Sequence, residues 1–326
     1  YEITYGDWSS DVCSSDLNPD SFIRVVKPQY LDAAIQQGSD TFYQQSAFHL
    51  QALVNEAKVV RHDPAMYLYE QKQPGASPLR GVIVSVCAES YLDGSVKKHE
   101  NVLENKCHRL AKHVEALNSL AEPVLLSNKL PSLWIDQLNQ FEKTQPLLTT
   151  ICAQGFEHSL WKLNAEESAS VLELLEGLDS LYIADGHHRM AAVSEYLLNI
   201  GKSSSQGVMS LIMDRDDLLI KSFHRLLKNV GDVDIEKHLQ RLPVSYVTLN
   251  LKDAHKLSGN TVAILSKQGD FLVSLGACDD AANAVEKLEV NRIERMFFPK
   301  MFGIHDSTKD ERMARSEEHT SELQSP

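Results

Sequence analysis

The chain has 326 residues, with 45 acidic and 32 basic side chains and a formal net charge of −13 at pH 7. This acidic balance argues against a nucleic-acid-binding surface, which requires a basic stripe. No apolar run approaches the length of a membrane span. We therefore expect small molecules as ligands, with neither nucleic acid nor a membrane as a partner, and the oligomeric state stays open.

Both ends of the chain look foreign to the rest of it. Residues 7–17 and 315–325 resemble translations of the two strands of a sequencing adapter, and neither segment has helical or strand periodicity. We expect residues 1–17 and 315–326 to be disordered artefacts and leave them out of the fold prediction. About 297 residues with a net charge of −7 remain. A truncated gene would also have lost residues on its N-terminal side, functional ones among them.

The cysteines indicate a reducing compartment. Four of them lie between these ends, and none has C-x-x-C spacing: Cys87, Cys107, Cys152 and Cys278. This pattern predicts neither disulfides nor a zinc site. We expect a cytoplasmic protein.

The apolar periodicity predicts both helices and strands in the first part of the core. In chain order these are a strand over 22–26, a helix over 31–58, strands over 66–70 and 81–87, a helix over 99–118, a strand over 123–126, a helix over 131–141, strands over 147–153 and 159–163, and a helix over 165–175. Strands 66–70 and 81–87 flank a turn-rich segment and should form a hairpin.

The pattern continues with a strand that begins at Leu181 and a helix over 190–200. It then predicts strands over 207–213 and 218–225, a smaller antiparallel element with strands over 244–249, 262–266 and 271–275, and a terminal helix over 289–300. Strands that are neighbours in sequence outnumber βαβ units, which favours an α+β fold of mixed sheets packed with helices. We expect a main α+β domain over 18–230 and a smaller C-terminal α/β subdomain over 231–314.

The most informative motif is Asp185-Gly-His-His-Arg189, at the junction of that strand and helix. Gly186 permits a turn that a side chain would obstruct. A helix N-terminus presents backbone N–H groups and the positive end of the helix dipole to an anion. His187, His188 and Arg189 add donors, and arginine binds phosphate bidentately. The motif predicts a phosphate site, the alternative being an ordinary turn before a solvated helix start.

A second polar segment opens the helix predicted over 99–118. We expect His99, Glu100 and Lys106 to project toward the same pocket, where the carboxylate of Glu100 could hold magnesium or accept a proton. The alternative for Glu100 is stabilisation of the helix N-terminus without chemistry. His224 and Arg225, at the end of a predicted strand, offer further donors to a phosphate.

Other motifs give little support to rival chemistries. Gly201-Lys-Ser203 follows a helix and lacks the first glycine of a Walker A loop, so Gly201 is better explained as a helix C-cap. No Rossmann glycine motif and no H-E-x-x-H zinc motif occurs. Asp214 and Asp216 stand at a strand end, where we expect turn acids and not metal ligands.

Four segments together resemble a bacterial family catalogued as domain of unknown function 1015: residues 18–25 (NPDSFIRV), 98–101 (KHEN), 182–189 (YIADGHHR) and 223–225 (FHR). The similarity extends to residues 302–306 and so spans nearly the whole core. The motif at 185–189 is also similar to the D-G-H-x-R loop of free serine kinases, which have a ParB/sulfiredoxin-like fold. The resemblance therefore implies a ParB/sulfiredoxin-like core and a loop that surrounds a phosphate in transfer.

The resemblance implies a small-molecule phosphotransferase, either a serine kinase that uses ATP or ADP with Mg²⁺, or a phosphoserine phosphatase with the same site. In such an enzyme Asp185, His187, His188 and Glu100 would be catalytic, and Asp185 and Glu100 would hold the metal. The expected phosphate-binding residues are Gly186, His188, Arg189, His224, Arg225, His99 and Lys106. The alternative is a regulator that binds a nucleotide or phosphometabolite without catalysis.

Overall fold

The computed structural model describes residues 20–315, apart from residues 31, 33, 73–74, 76, 100–101, 103, 143, 153–154, 219–224, 250–259, 277–285, 288, 308–309 and 311. The ends expected to be disordered therefore lie outside the described residues, with the exception of Arg315, which ends a strand. Internal contacts divide the chain between Lys221 and Ser222 into two compact units. The boundary expected from the sequence, at residue 230, lies slightly further along the chain.

The first unit contains one large sheet and the helices that pack on it. Its strands are β1 Tyr67–Lys72, β2 Leu79–Cys87, β3 Val96–Lys97, β4 Val124–Asn128, β5 Leu148–Ile151, β6 Glu157–Lys162, β7 Leu181–Asp185 and β8 Gly207–Asp214. Its helices are α1 Ile23–Val26, α2 Asp40–Asn55, α3 Glu89–Leu92, α4 Glu104–Leu117, α5 Leu133–Phe141, α6 Ala165–Glu176 and α7 His187–Asn199. Short 3₁₀ turns cover Pro28–Tyr30 and Arg215–Asp217.

The eight strands are ordered β3-β7-β4-β8-β2-β1-β6-β5. The pairs β3–β7 and β4–β8 are parallel, and the others are antiparallel. A row of apolar side chains crosses one face of the sheet and packs against Trp134 and Leu138 of α5: Leu126, Ile212, Val82, Leu68 and Trp161. The predicted α+β class is confirmed, as is the hairpin of β1 and β2.

The predicted strand over 22–26 is wrong, because these residues form helix α1. The β-branched residues favour a strand locally, but Val25 is fully buried against Leu53 and Leu117, and this packing overrides propensity. The helix predicted over 31–58 begins only at Asp40, where the Ser39 hydroxyl accepts a hydrogen bond from the Phe42 amide and caps the helix.

The second unit is built around a small antiparallel sheet, as the sequence predicts. Strand β9 Arg225–Leu227 pairs with β13 Met313–Arg315, and β10 Ser245–Thr248, β12 Phe271–Ser274 and β11 Thr261–Ile264 form a three-stranded sheet in that order. Helices α8 Ile235–Leu239, α9 Glu289–Met296 and α10 Phe298–Phe302 complete this unit. In the part of the chain that the structure describes, every helix is too short or too polar to cross a lipid bilayer.

Candidate functional site

The motif at residues 185–189 forms the junction between β7 and α7, and the predicted strand, glycine and helix are confirmed. Gly186 caps the helix with φ +92°, in the left-handed region that favours glycine. A Cβ at this position would lie 3.1 Å from Nε of Arg189. The backbone conformation therefore favours glycine here, and an added Cβ would displace the Arg189 guanidinium by a few tenths of an ångström.

The start of α7 is capped differently from that of α6. Helix α6 has a capping box, in which the Asn164 side chain accepts from the Glu167 amide and the Glu167 carboxylate accepts from the Asn164 amide. Helix α7 has no acidic residue in its first turn, and Gly186 supplies no side-chain cap. Basic side chains at this positive end of the dipole do not stabilise the helix. Helix stability therefore does not account for their position.

Arg189 is held by groups from the end of β7 and from the segment before β4. Its Nη2 pairs with Oδ2 of Asp185, and its Nη1 donates to the Pro123 carbonyl at 2.5 Å and lies 3.1 Å from Oε2 of Glu122. Only 14% of the Arg189 side chain is exposed. The guanidinium is therefore oriented by contacts on both of its terminal nitrogens.

Sheet pairing explains why Glu122 and Pro123 reach this loop. They precede β4, which runs antiparallel to β7 with Leu125 opposite Asp185. The next residue, Leu126, lies opposite Ile183, so β7 carries one extra residue at a bulge. The sequence analysis missed Glu122 because no local motif marks a contact between residues so far apart in the chain.

His187 and His99 meet at the same end of the sheet. Strand β3 runs parallel to β7, with Lys97 opposite Tyr182, so His99 follows β3 where His187 follows β7. The His99 amide donates to Nε2 of His187 at 3.4 Å, and the two rings make an edge-to-face contact with centroids 4.3 Å apart. His187 is buried, whereas His99 is exposed.

Two lysines precede His99 and lie over tyrosine rings. The ammonium of Lys97 is 5.7 Å from the centroid of Tyr182, and that of Lys98 is 5.7 Å from the centroid of Tyr91. Both lysines are exposed. They bring positive charge to the end of β3, which lies beside β7 and so close to the start of α7.

Lys106 lies in the first turn of α4, which packs on α7. The neighbouring Cys107 contacts Ala191 and Ala192 of α7, and its thiol donates weakly to the His188 carbonyl at 3.9 Å. Burial raises the pKa of the Cys107 thiol, so this sulfur is a packing group and a poor nucleophile. Lys106 itself is half-buried at this start of α4.

Glu100, His224 and Arg225 were also expected at this site. Glu100 and His224 lie outside the described residues. Arg225 belongs to the second unit, where it begins β9 and lies 3.8 Å from Oε1 of Glu294. Within the ranges that the structure describes, no group of three or more His, Cys, Asp or Glu residues could hold a metal ion.

Asp214 acts as a turn acid, as expected. Its buried carboxylate accepts hydrogen bonds from the Leu130 amide at 2.9 Å and the Asp216 amide at 2.8 Å. Asp216 is exposed and pairs with Lys129 at 2.7 Å. Gly201 likewise has the expected role, following the end of α7 with φ +67°.

A buried carboxyl that the sequence analysis did not single out lies on β1. Glu70 is fully buried, pairs with Lys72 at 2.5 Å and faces Glu142, which in turn binds Arg80 at 2.8 Å. Burial, followed by the hydrogen bond with Glu142, raises the pKa of Glu70 to about 7. The same contact lowers the pKa of Glu142. Burial therefore favours the protonated form of Glu70, while Glu142 is favoured in its ionised form.

The fold and site together define an α+β protein with a His- and Arg-bearing loop between a strand and a helix. The chain belongs to the family described as protein of unknown function (DUF1015), whose model matches residues 10–291. The family membership expected from the sequence is thereby confirmed. Neither a curated protein nor a solved structure matches the chain.

Proposed function

We propose that the chain is a small-molecule phosphotransferase whose phosphate site lies at the start of α7. The main supporting observation is that His187, His188 and Arg189 are the first three residues of a helix that has no acidic residue in its first turn, beside the basic end of β3. An anion bound there would accept hydrogen bonds from the first backbone N–H groups of α7 and would lie at the positive end of the helix dipole. This gives the basic side chains a role that helix stability does not.

The described residues can divide the work of phosphoryl transfer, which depends mainly on positioning and charge stabilisation. Arg189 and the first N–H groups of α7 would bind the phosphate oxygens, with His188, His99 and Lys106 as further donors. Arginine carries five donors, so one guanidinium can hold the loop and meet a ligand. His187 would fix the backbone at His99, and Asp185, half-exposed, would orient the acceptor hydroxyl.

Magnesium would fit this scheme with few protein ligands. It commonly binds one or two carboxylates together with substrate phosphates and water, and it would neutralise phosphate charge. Asp185 and Glu100 are the carboxylates that we propose for it. The resemblance to free serine kinases favours serine as acceptor and ATP or ADP as donor, on a ParB/sulfiredoxin-like core in the cytoplasm. A phosphoserine phosphatase would use the same site.

The test is nucleotide binding and turnover by the full chain. We expect ATP or ADP to bind by calorimetry, and serine with Mg²⁺ to yield phosphoserine and the shortened nucleotide. Arg189→Ala should abolish both, whereas Arg61→Ala, which removes an exposed arginine, should change neither. Release of phosphate from phosphoserine would assign the phosphatase. Unchanged turnover in Arg189→Ala would reject the site.

A non-catalytic regulator is the second candidate. The favouring observation is that Arg189 already meets the carboxylates of Asp185 and Glu122, an arrangement suited to a static binding site. Tight nucleotide binding without turnover of any hydroxyl acceptor would support this alternative over the enzyme.

A further inference from the structure

Glu122 is in direct contact with the arginine of the loop although it belongs to a different strand connection. Its Oε2 lies 3.1 Å from Nη1 of Arg189, and the carbonyl of the next residue, Pro123, accepts from the same nitrogen. The Glu122 side chain is 40% exposed. Its partner Arg189 is only 14% exposed, so the contact restricts the orientation of a largely buried guanidinium. This restriction is the basis for a positioning role.

We propose that Glu122 is a positioning residue of the anion site, which with the Pro123 carbonyl fixes the guanidinium of Arg189 against Gly186. The inference rests on the proposed function, in that the anion is assigned to the start of α7. Glu122 itself acts through Arg189 and need not touch the ligand.

Two observations carry this assignment. The guanidinium packs closely against Gly186. A Cβ at that position would lie 3.1, 3.2 and 3.3 Å from Nε, Cζ and Nη2 of Arg189. Its two terminal nitrogens are held by different segments, Nη2 by Asp185 at the end of β7 and Nη1 by Glu122 and Pro123 before β4. A free arginine side chain has about 2 kcal/mol of rotamer entropy, and ordering it before binding improves affinity.

Positioning and charge predict opposite results when Glu122 is changed. If Glu122 acted only through its charge, removing it would tighten the binding of an anion, because a nearby negative charge is lost. If it positions Arg189, truncation weakens binding despite the lost charge. Glutamine separates the two effects, since its carbonyl oxygen can still accept from Nη1 while the charge is gone.

The binding experiment uses inorganic pyrophosphate and the full chain, by calorimetry. We expect Glu122→Ala to bind about fivefold more weakly than wild type and Glu122→Gln to keep most of the affinity. Glu115→Ala and Glu115→Gln, on the exposed face of α4, remove the same charge elsewhere and should bind as wild type does. Wild-type or tighter binding by Glu122→Ala would overturn the proposal.

A second measurement keeps this inference separate from the proposed function. In nitrogen-15 NMR of the arginine side chains, restricted rotation of the Arg189 guanidinium should persist in wild type and Glu122→Gln and be averaged in Glu122→Ala. An unchanged Arg189 signal in Glu122→Ala rejects the positioning role, whether or not pyrophosphate binds. If the signal changes but wild type binds no pyrophosphate, the phosphate site fails and the positioning of Arg189 by Glu122 stands.

Discussion

Gly186 and Arg189 are in contact across the first turn of α7, with the guanidinium packed over the one position in the loop that has no side chain. The turn and the arginine therefore depend on each other. A change at Gly186 acts on the proposed anion site through both the backbone and the guanidinium.

We expect Gly186→Ala to lower the free energy of unfolding by about 1–3 kcal/mol, because alanine disfavours φ +92°. It should also displace Arg189 and weaken pyrophosphate binding, measured by denaturant unfolding and calorimetry. Gly201→Ala is the matched control, since Gly201 also has positive φ but nothing lies within 4 Å of its added Cβ. Equal binding losses in the two variants would contradict a specific contact with Arg189.

Glu70 predicts a pH dependence of stability. Its pKa is raised from 4.5 to about 7 in the folded chain, so the folded state keeps a proton that the unfolded state loses in this interval. The stabilisation of the folded state by this proton is fully present below pH 4.5, and the free energy of unfolding falls as the pH rises to about 7. Glu70→Gln removes this dependence.

The expected result is that Glu70→Gln gains stability relative to wild type between pH 5 and pH 8, by roughly 1–3 kcal/mol. Urea unfolding at several pH values measures it. Glu115→Gln, at an exposed carboxylate, provides the baseline. Parallel pH profiles for wild type and Glu70→Gln would show that Glu70 does not titrate in this range.

His187→Ala tests the link between the ends of β3 and β7. Loss of the acceptor for the His99 amide should speed hydrogen exchange at that amide and, because water can reach this exposed residue, lower stability by only about 0.5–1.5 kcal/mol. Exchange measured by NMR distinguishes this from a general loosening, because the amides of β8 should keep their protection. His188→Ala, at the adjacent half-buried histidine, should leave the His99 amide as in wild type.

Asp214→Ala should destabilise the chain without a specific effect on the anion site. The buried Leu130 amide loses its acceptor, at about 1–3 kcal/mol. Asp216→Ala removes an exposed acid from the same turn and should change stability much less. Chemical denaturation compares the two variants, and similar losses would mean that the hydrogen bonds of Asp214 contribute little.

Local patterns account for what the sequence could predict. Alternating apolar residues around a turn-rich segment predicted the β1–β2 hairpin, and the glycine between an apolar strand and a helical repeat predicted the start of α7. Both signals lie within short stretches of chain. The strands of the small antiparallel sheet were predicted for the same reason.

Contacts that depend on long-range strand pairing could not be predicted from the sequence. The contact between Arg189 and Glu122 exists because β4 and β7 are neighbours, and the meeting of His99 with His187 depends on the parallel pairing of β3. Neither pairing leaves a local periodicity. Glu70 was missed because an acidic residue in a strand is ordinarily exposed, and only the packed sheet shows that its side chain is buried.

The extra residue in β7 has a consequence for how the site can vary. In a regular strand Asp185 would share the core-facing side of Ile183, and the bulge instead leaves Asp185 at the rim, half-exposed and within reach of Arg189. The direction in which the carboxylate points therefore depends on the number of residues before Gly186 as well as on their identity. Side-chain replacement at Ala184 is compatible with that geometry, whereas deletion of a single residue from β7 would remove the bulge and place the acid on the face of the strand opposite Ile183.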